Sequence, residues 1–141
     1  MERILGLDLG TTTLGMAIND SIGIAVHPYE NFSFEPNNYK KARDKVHEVL
    51  LKENIKTIVL GYPLNMDDRK GERVSSTERF KADLEKENEG VNIILVDERL
   101  STVEAHERLY DMGVPSKKHK EMIDAMSAVI ILETYLNKKE K

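Results

Sequence analysis

The sequence predicts an α/β fold: a mixed five-stranded sheet, built from a three-strand antiparallel meander plus two parallel strands, flanked by helices. Three short apolar runs separated by tight turns come first, which is typical of an antiparallel meander. Two further apolar runs then alternate with stretches of helical periodicity, as parallel strands do. At 141 residues the chain has the length of one domain, so we expect residues 1–141 to form a single unit.

The meander is predicted from the first 32 residues. An apolar run with a polar end occupies residues 3–9, a second strand follows at 14–19, and a third lies within 22–32. Gly10 and the threonines at 11–13 form the turn between the first two strands.

The parallel strands are predicted from alternating periodicities. The expected elements are a helix capped by Asn37 or Asn38 that ends near Asn54, a strand at 57–60, a polar loop at 61–71, a helix around Phe80 and Leu84, and a strand at 92–96. Two helices are expected to complete the chain. The first begins with a capping box at Ser101 and Glu104, has an apolar face of Ala105, Leu109 and Met112, and ends at Gly113 and Pro115. The last helix runs from near Ser116 to about Leu136.

Composition excludes several classes of protein. Hydrophobic residues make up 40% and charged residues 33%, which is typical of a globular chain. Cysteine is absent, which excludes disulfides and fits a reducing compartment. No signal peptide or long apolar run is apparent, so we expect a cytoplasmic protein with no membrane partner. The net charge of −4 disfavours a nucleic-acid binder, but local patches matter more than the total.

Three acidic positions stand out against apolar surroundings. Asp8 lies inside a strand that otherwise reads as buried, where an unpaired carboxylate is costly. Asp97 and Glu98 end an apolar strand, and alternation points them to opposite faces without saying which one faces Asp8. Asp124 heads the apolar segment 125–132 of the last helix.

Each acidic position also has a purely structural interpretation. Asp8 can accept backbone N–H bonds from the turn at 11–13, the strand-end acids can pair with Arg99, and Asp124 can bond to Lys120, one helical turn earlier. A shared explanation is a site for Mg²⁺ or Mn²⁺, since hard cations take oxygen ligands. Two such ions about 4 Å apart can activate water and stabilise the leaving oxygen of a phosphodiester. Histidine spacing does not fit zinc.

Two further groups of residues can bind phosphate. Gly10 and the adjacent threonines, including Thr12, can cradle phosphate oxygens. This segment resembles the phosphate loop of actin-like and sugar-kinase ATPases, although those proteins need two lobes to enclose a nucleotide. Basic residues cluster at Lys117–Lys120, with a second cluster at Arg69, Lys70 and Arg73. The first cluster is expected to grip nucleic-acid phosphates beside Asp124.

Four segments together resemble one family. LGLDLGTTTLGMA, GYPLNMDDRKG, VDERLSTVEA and KKHKEMIDAMSAVIIL are similar, in this order, to the signature blocks of the YqgF family, also called RuvX. These are small RNase H-like proteins described as pre-16S rRNA nucleases and as Holliday junction resolvases. The resemblance covers essentially the whole chain and implies an RNase H-like fold.

The resemblance also implies site residues. The metal-binding and catalytic acids fall on Asp8, Glu98 and Asp124, which selects Glu98 over Asp97. Arg99, in the same block as Glu98, can contact the scissile phosphate or orient a carboxylate, and its structural alternative is a salt bridge to an acidic neighbour. Thr12 of the glycine turn and Lys117, Lys118 and Lys120 of the basic cluster are also expected to contact substrate, on their own chemistry and not because of the resemblance. Asp68 replaces a glycine that many members have in the Gly61-x-Pro63 loop, so that turn is expected to differ in shape and charge.

The expected function is metal-dependent cleavage of phosphodiester bonds in structured nucleic acid, in particular 5′-end processing of pre-16S rRNA during ribosome biogenesis. Asp8 is expected to bridge two metals, with Glu98 and Asp124 completing their ligand sets. One alternative is a resolvase of branched DNA, which favours a homodimer over a monomer. Another is a non-catalytic nucleic-acid-binding factor that acts at the ribosome or in transcription.

Overall fold

The computed structural model describes residues 2–20, 22, 25–63, 71–98 and 101–139. The strands are β1 (Ile4–Leu9), β2 (Thr13–Asn19), β3 (Val26–Ser33), β4 (Thr57–Tyr62) and β5 (Asn92–Asp97). The helices are α1 (Tyr39–Glu53), α2 (Glu72–Glu87), α3 (Ser101–Asp111) and α4 (His119–Lys139), and a 3₁₀ turn (Ser116–Lys118) precedes α4. In the described part of the chain, no helix combines the length and the apolar character that crossing a membrane requires.

The five strands form one mixed sheet in the order β3-β2-β1-β4-β5. β1 pairs antiparallel with β2, and β2 with β3, whereas β1 pairs parallel with β4, and β4 with β5. The predicted meander and the two predicted parallel strands are therefore confirmed. β1 lies at the centre, so its residues have a hydrogen-bonded strand on either side.

One face of the sheet, called the α1 face here, packs against α1 and α2. Its apolar side chains come from three strands: Leu5, Leu7 and Leu9 of β1, Leu14, Met16 and Ile18 of β2, and Ile58 and Leu60 of β4. They pack against the buried side chains of the two helices, Ala42, Val46, Val49 and Leu50 of α1 and Phe80 and Leu84 of α2. Side chains of a strand alternate between the two faces. The residues between those named must therefore face the other side.

The opposite face, called the α4 face, packs against α4, with α3 behind it. Its apolar residues include Ile4, Ala17, Val59 and Val96. Three glycines, Gly6, Gly15 and Gly61, share this face and let α4 come very close. A Cβ added to Gly6 would lie 2.9 Å from the Ala128 carbonyl oxygen, and one added to Gly15 would lie 2.0 Å from that of Asp124. The backbone of α4 thus rests almost directly on β1 and β2.

Several predicted details at the ends of helices differ from the structure. The side chain of Asn38 does not cap α1. Ser101 is the first residue of α3, and its hydroxyl donates to the Glu98 carbonyl (2.9 Å) and does not cap the helix. Met112 lies beyond the end of α3 and is 60% exposed, so it is not part of the apolar face. Gly113 ends the helix as predicted, with a left-handed φ of 84°. The helix expected from Ser116 begins at His119, after the 3₁₀ turn.

Candidate active site

The candidate site lies at the edge of the sheet where the three parallel strands end. Asp8 is the penultimate residue of β1, Gly61 is the penultimate residue of β4, and Glu98 follows the last residue of β5. The register Leu7↔Leu60 and Tyr62↔Asp97 brings these positions side by side. The carboxyl ends of parallel strands are where open α/β sheets commonly place their ligands.

The alternation of side chains along β5 decides whether Asp97, its last residue, or Glu98, the next residue, joins the site. Ile94 and Val96 pack on the α4 face, so alternation directs Glu98 to that face as well. Asp97 has the opposite phase and is exposed. Gly61 leaves the space that Glu98 needs, because a Cβ there would lie 2.8 Å from Glu98 Oε2. The structure thus places Glu98, which the family resemblance selected, beside Asp8.

Helix α4 supplies the third carboxylate. Asp8 pairs directly with Gly15 across β1 and β2, and the backbone of Asp124 lies on Gly15. This contact brings Asp124 next to Asp8 from above the sheet. The hydroxyl of Thr13 donates to Asp124 Oδ2 (2.6 Å), which fixes the side chain. The structural alternative in which Asp124 bonds to Lys120 is not what is observed.

Burial and mutual repulsion perturb the acids. The pKa of Asp8 is raised, mainly by burial, and the negative charge of Asp124 raises it further. Burial, followed by the charge of Asp8, raises the pKa of Glu98 to about 10. Asp8 and Glu98 lie close enough for each carboxyl to act on the pKa of the other. The Glu98 Oε1 atom is buried and has no hydrogen-bond partner.

Arg73, which the sequence named only as a member of a second basic cluster, lies at the site. Its guanidinium donates to the carbonyl oxygen of Leu9, the residue after Asp8. Its positive charge lowers the pKa of both Asp8 and Glu98, against the larger effect of burial. The only signal for it was its membership of the basic cluster with Arg69 and Lys70, whose own positions lie outside the described residues.

The donor chemistry of this site fits a hard divalent cation. Asp8, Glu98 and Asp124 offer only carboxylate oxygens, which Mg²⁺ and Mn²⁺ prefer. The unpartnered, buried Oε1 of Glu98 is an acceptor that a cation would satisfy. Among the described residues, however, no three acidic or histidine side chains are arranged to hold an ion as they stand. Asp124 Oδ2 accepts the Thr13 hydroxyl (2.6 Å), so a metal that binds this oxygen must compete with that bond.

The predicted substrate contacts are only partly placed. Arg99 and Asp68 lie outside the described residues. Thr12 is exposed in the β1–β2 turn, where its carbonyl accepts the N–H of Phe34 (2.8 Å). Lys117 and Lys118 lie exposed in the 3₁₀ turn, and Lys120 is exposed in the first turn of α4.

His119, which the sequence grouped with these lysines, is not part of an exposed patch. It is 2% exposed, its Nε2 lies 2.9 Å from the Val114 carbonyl oxygen, and its Nδ1 lies 2.7 Å from Nδ1 of His106. The ring of Tyr110 also packs on it, with centroids 4.4 Å apart. His119 therefore anchors the start of α4 against α3, and the exposed patch consists of the three lysines.

A family model described as "RuvX: Holliday junction resolvase" matches residues 2–138. The chain belongs to the RuvX family. It is 41% identical over 140 residues to a "Putative pre-16S rRNA nuclease" of Lachnospira eligens, covering 99% of both proteins. A protein of the same name from Mycoplasmopsis pulmonis is 43% identical over 136 residues, covering 96% of this chain and 92% of the relative.

Solved structures show the same fold at low sequence identity. The RuvC of T. thermophilus in complex with a Holliday junction has a TM-score of 0.58 at 14% identity, covering 98% of this RuvX chain and 96% of RuvC. The fowlpox virus Holliday junction resolvase has a TM-score of 0.60 at 12% identity, covering 96% of this chain and 98% of the resolvase. The fold is therefore the RNase H-like fold of the resolvases, as the sequence predicted.

Proposed function

We propose that this RuvX-family protein is a divalent-metal-dependent endonuclease that hydrolyses phosphodiester bonds in structured nucleic acid, and that its substrate is the 5′ end of pre-16S rRNA. The substrate is proposed from the printed name of relatives about 40% identical over nearly the whole chain. The observation that carries the activity is the meeting of Asp8, Glu98 and Asp124 at one edge of the sheet.

Two divalent ions, when bound, supply an activated water and stabilise the 3′ oxygen as it leaves, giving a 5′ phosphate and a 3′ hydroxyl. Asp8, Glu98 and Asp124 would hold the divalent ions, with Asp8 placed between the other two acids. Asp8 is buried and Glu98 is half-buried, so few bulk waters can compete for these ligands. Thr13 holds the Asp124 carboxylate on the side of α4 that faces the sheet.

The proposed backbone-binding surface is the exposed lysine patch of Lys117, Lys118 and Lys120. Lys120 is four residues before Asp124 on the same helix, about 6 Å along its axis. Phosphates bound by these lysines would therefore lie beside the carboxylates. We assign the same role to Arg99, which follows Glu98 in the sequence.

A second candidate activity is resolution of branched DNA. The description of the matching family model, a Holliday junction resolvase, favours it. Such an enzyme cuts two symmetric strands, so it would act as a C2 dimer. The oligomeric state measured with and without a four-way junction separates this candidate from an RNA processor that acts as a monomer.

The test is cleavage of two labelled substrates, a precursor 16S rRNA fragment and a four-way DNA junction, in Mg²⁺ or Mn²⁺. We expect the RNA to be cut. Asp8→Asn should slow cutting by more than about a hundredfold, because loss of a group that only supports a metal ligand already costs up to that much. Asp44→Asn on α1, an exposed matched control, should cut at the unaltered rate. Binding of RNA without cleavage under any metal would replace the proposal with a non-catalytic factor.

A further inference from the structure

A small open pocket lies on the other side of the strand ends from the lysine patch. It has a volume of about 140 Å³ and is lined in part by Gly10, Thr11, Asn37, Arg73 and Ser76. A single water needs roughly 15 Å³ of cavity, so the pocket has room for a group of several atoms. None of the described residues that line it is acidic.

We propose that Arg73 and this pocket form a phosphate subsite, which holds a backbone phosphate next to the one that is cleaved. The proposal rests on the proposed nuclease function and adds to it a residue that binds substrate.

The position of Arg73 is set by one hydrogen bond. The guanidinium donates to the carbonyl oxygen of Leu9, so it is held one residue from Asp8. A guanidinium has five N–H donors, and the bond to a neutral carbonyl uses one without neutralising the charge.

The wall of the pocket suits an anion. Thr11 and Ser76 contribute hydroxyls that can donate to phosphate oxygens, and Gly10 presents backbone without a side chain. Arginine binds phosphate through two parallel N–H bonds, which adds orientation to affinity. A phosphate held here would lie beside Leu9, and its neighbour along the strand would reach the carboxylates.

The two sources of positive charge approach the carboxylates from opposite faces of the sheet. Arg73 is in α2, whose buried side chains Phe80 and Leu84 pack on the α1 face. Lys120 is in α4, on the other face. A nucleic-acid strand that crosses the sheet edge between them would have cations on both sides of the bond that is cut.

The test is a salt titration of binding to a fluorescein-labelled precursor 16S rRNA fragment in Ca²⁺, which should support binding with little cleavage. Arg73→Gln should weaken binding and reduce the slope of log affinity against log salt by about 0.7 to 0.9 units, the value of one lost phosphate contact. The matched control Arg79→Gln removes the same charge from an exposed position on the same helix and should change the slope less. Arg73→Lys should keep the slope but raise KM for cleavage, because lysine cannot bind phosphate through two parallel bonds.

A merely structural role for Arg73 makes a different set of predictions. Loss of its bond to Leu9 would lower the melting temperature and leave the salt slope of the folded protein unchanged, and that result overturns the proposal. If Arg73→Gln does not fold, Ser76→Ala and Arg73→Lys decide the question: unchanged Kd and KM in both overturn it, and a raised Kd or KM supports it. Failure of the unaltered protein to bind the RNA would instead overturn the proposed function itself.

Discussion

The two faces of the central sheet are built on different rules. The α1 face buries large apolar side chains, among them Leu7, Met16 and Leu60, which interlock with two amphipathic helices. The α4 face instead has Gly6 and Gly15 beneath a helix that rests on their backbone. Burial of apolar side chains contributes about 25 cal/mol per Å², so the α1 face is built for stability.

The α4 face accepts a cost that the α1 face avoids. Its close packing brings Asp8, Glu98 and Asp124 together, although buried like charges destabilise a fold. The glycines are part of the site, because they set the distance between the carboxylate on the helix and those at the strand ends.

The largest effect is expected for Gly15→Ala. The added Cβ would lie 2.0 Å from the carbonyl oxygen of Asp124, which belongs to helix backbone and cannot turn aside. We expect a loss of more than about 3 kcal/mol in the free energy of unfolding, at or above the usual range for overpacking. Any folded fraction should also bind metal weakly, since α4 must move away from Asp8. Urea denaturation measures the first effect.

The matched control for that variant is Met16→Leu, the next residue along β2, which is buried on the α1 face. A volume-conserving swap there should cost less than about 1.5 kcal/mol. Equal losses in the two variants would show that α4 packs no more rigidly than α1 and α2 do, and the contrast between the faces would fail.

The second prediction concerns pH. Glu98 has a pKa of about 10 in the folded protein and an ordinary value of 4.5, so between these values the folded state holds a proton that the unfolded state has lost. The stabilising contribution is complete below about pH 4.5 and is lost as the pH rises through about 10. In EDTA, stability should therefore fall with rising pH by up to about 1.4 kcal/mol per unit.

Chemical denaturation at pH 6, 7, 8 and 9 measures this slope. Glu98→Gln should flatten it, because the amide does not titrate, whereas Glu48→Gln at an exposed position on α1 should leave it unchanged. A slope that is the same in all three proteins would mean that Glu98 does not keep its proton in the folded state.

The smallest effect is expected at the lysine patch. Replacing Lys117, Lys118 and Lys120 with Gln should flatten the salt dependence of duplex binding by up to about three units, with little change in stability because all three are exposed. The same replacement at Lys41 and Lys52 of α1 and at Lys56 before β4, which are all exposed, is the control. Identical slopes for the two triple variants would remove the patch from the binding surface.

Local periodicity was enough to predict the fold. The apolar runs of β1, β4 and β5 and the helical spacing in α1 are properties of short segments, and they identified the mixed sheet. Asp8 and Asp124 could be recognised as candidates because each is a carboxylate among apolar neighbours.

The rest of the site depends on contacts that short segments do not encode. In β5 the residues of both phases, Ile93 to Val96, are apolar, so the sequence could not say which terminal acid faces Asp8. The bond from Thr13 to Asp124 joins residues 111 positions apart. His119 stands among lysines in the sequence, but its contact with His106 of α3 buries it.

A Mn²⁺ titration followed by electron paramagnetic resonance tests directly whether the α4 face carries the metal site, with Glu98 and not its neighbour as a ligand. The proteins to compare are the unaltered chain, Glu98→Gln and Asp97→Asn, which change adjacent acids of opposite phase. We expect Glu98→Gln to weaken Mn²⁺ binding by more than about tenfold and Asp97→Asn to bind like the unaltered protein. Loss of binding in Asp97→Asn with retention in Glu98→Gln, or no binding by the unaltered protein, would contradict the account.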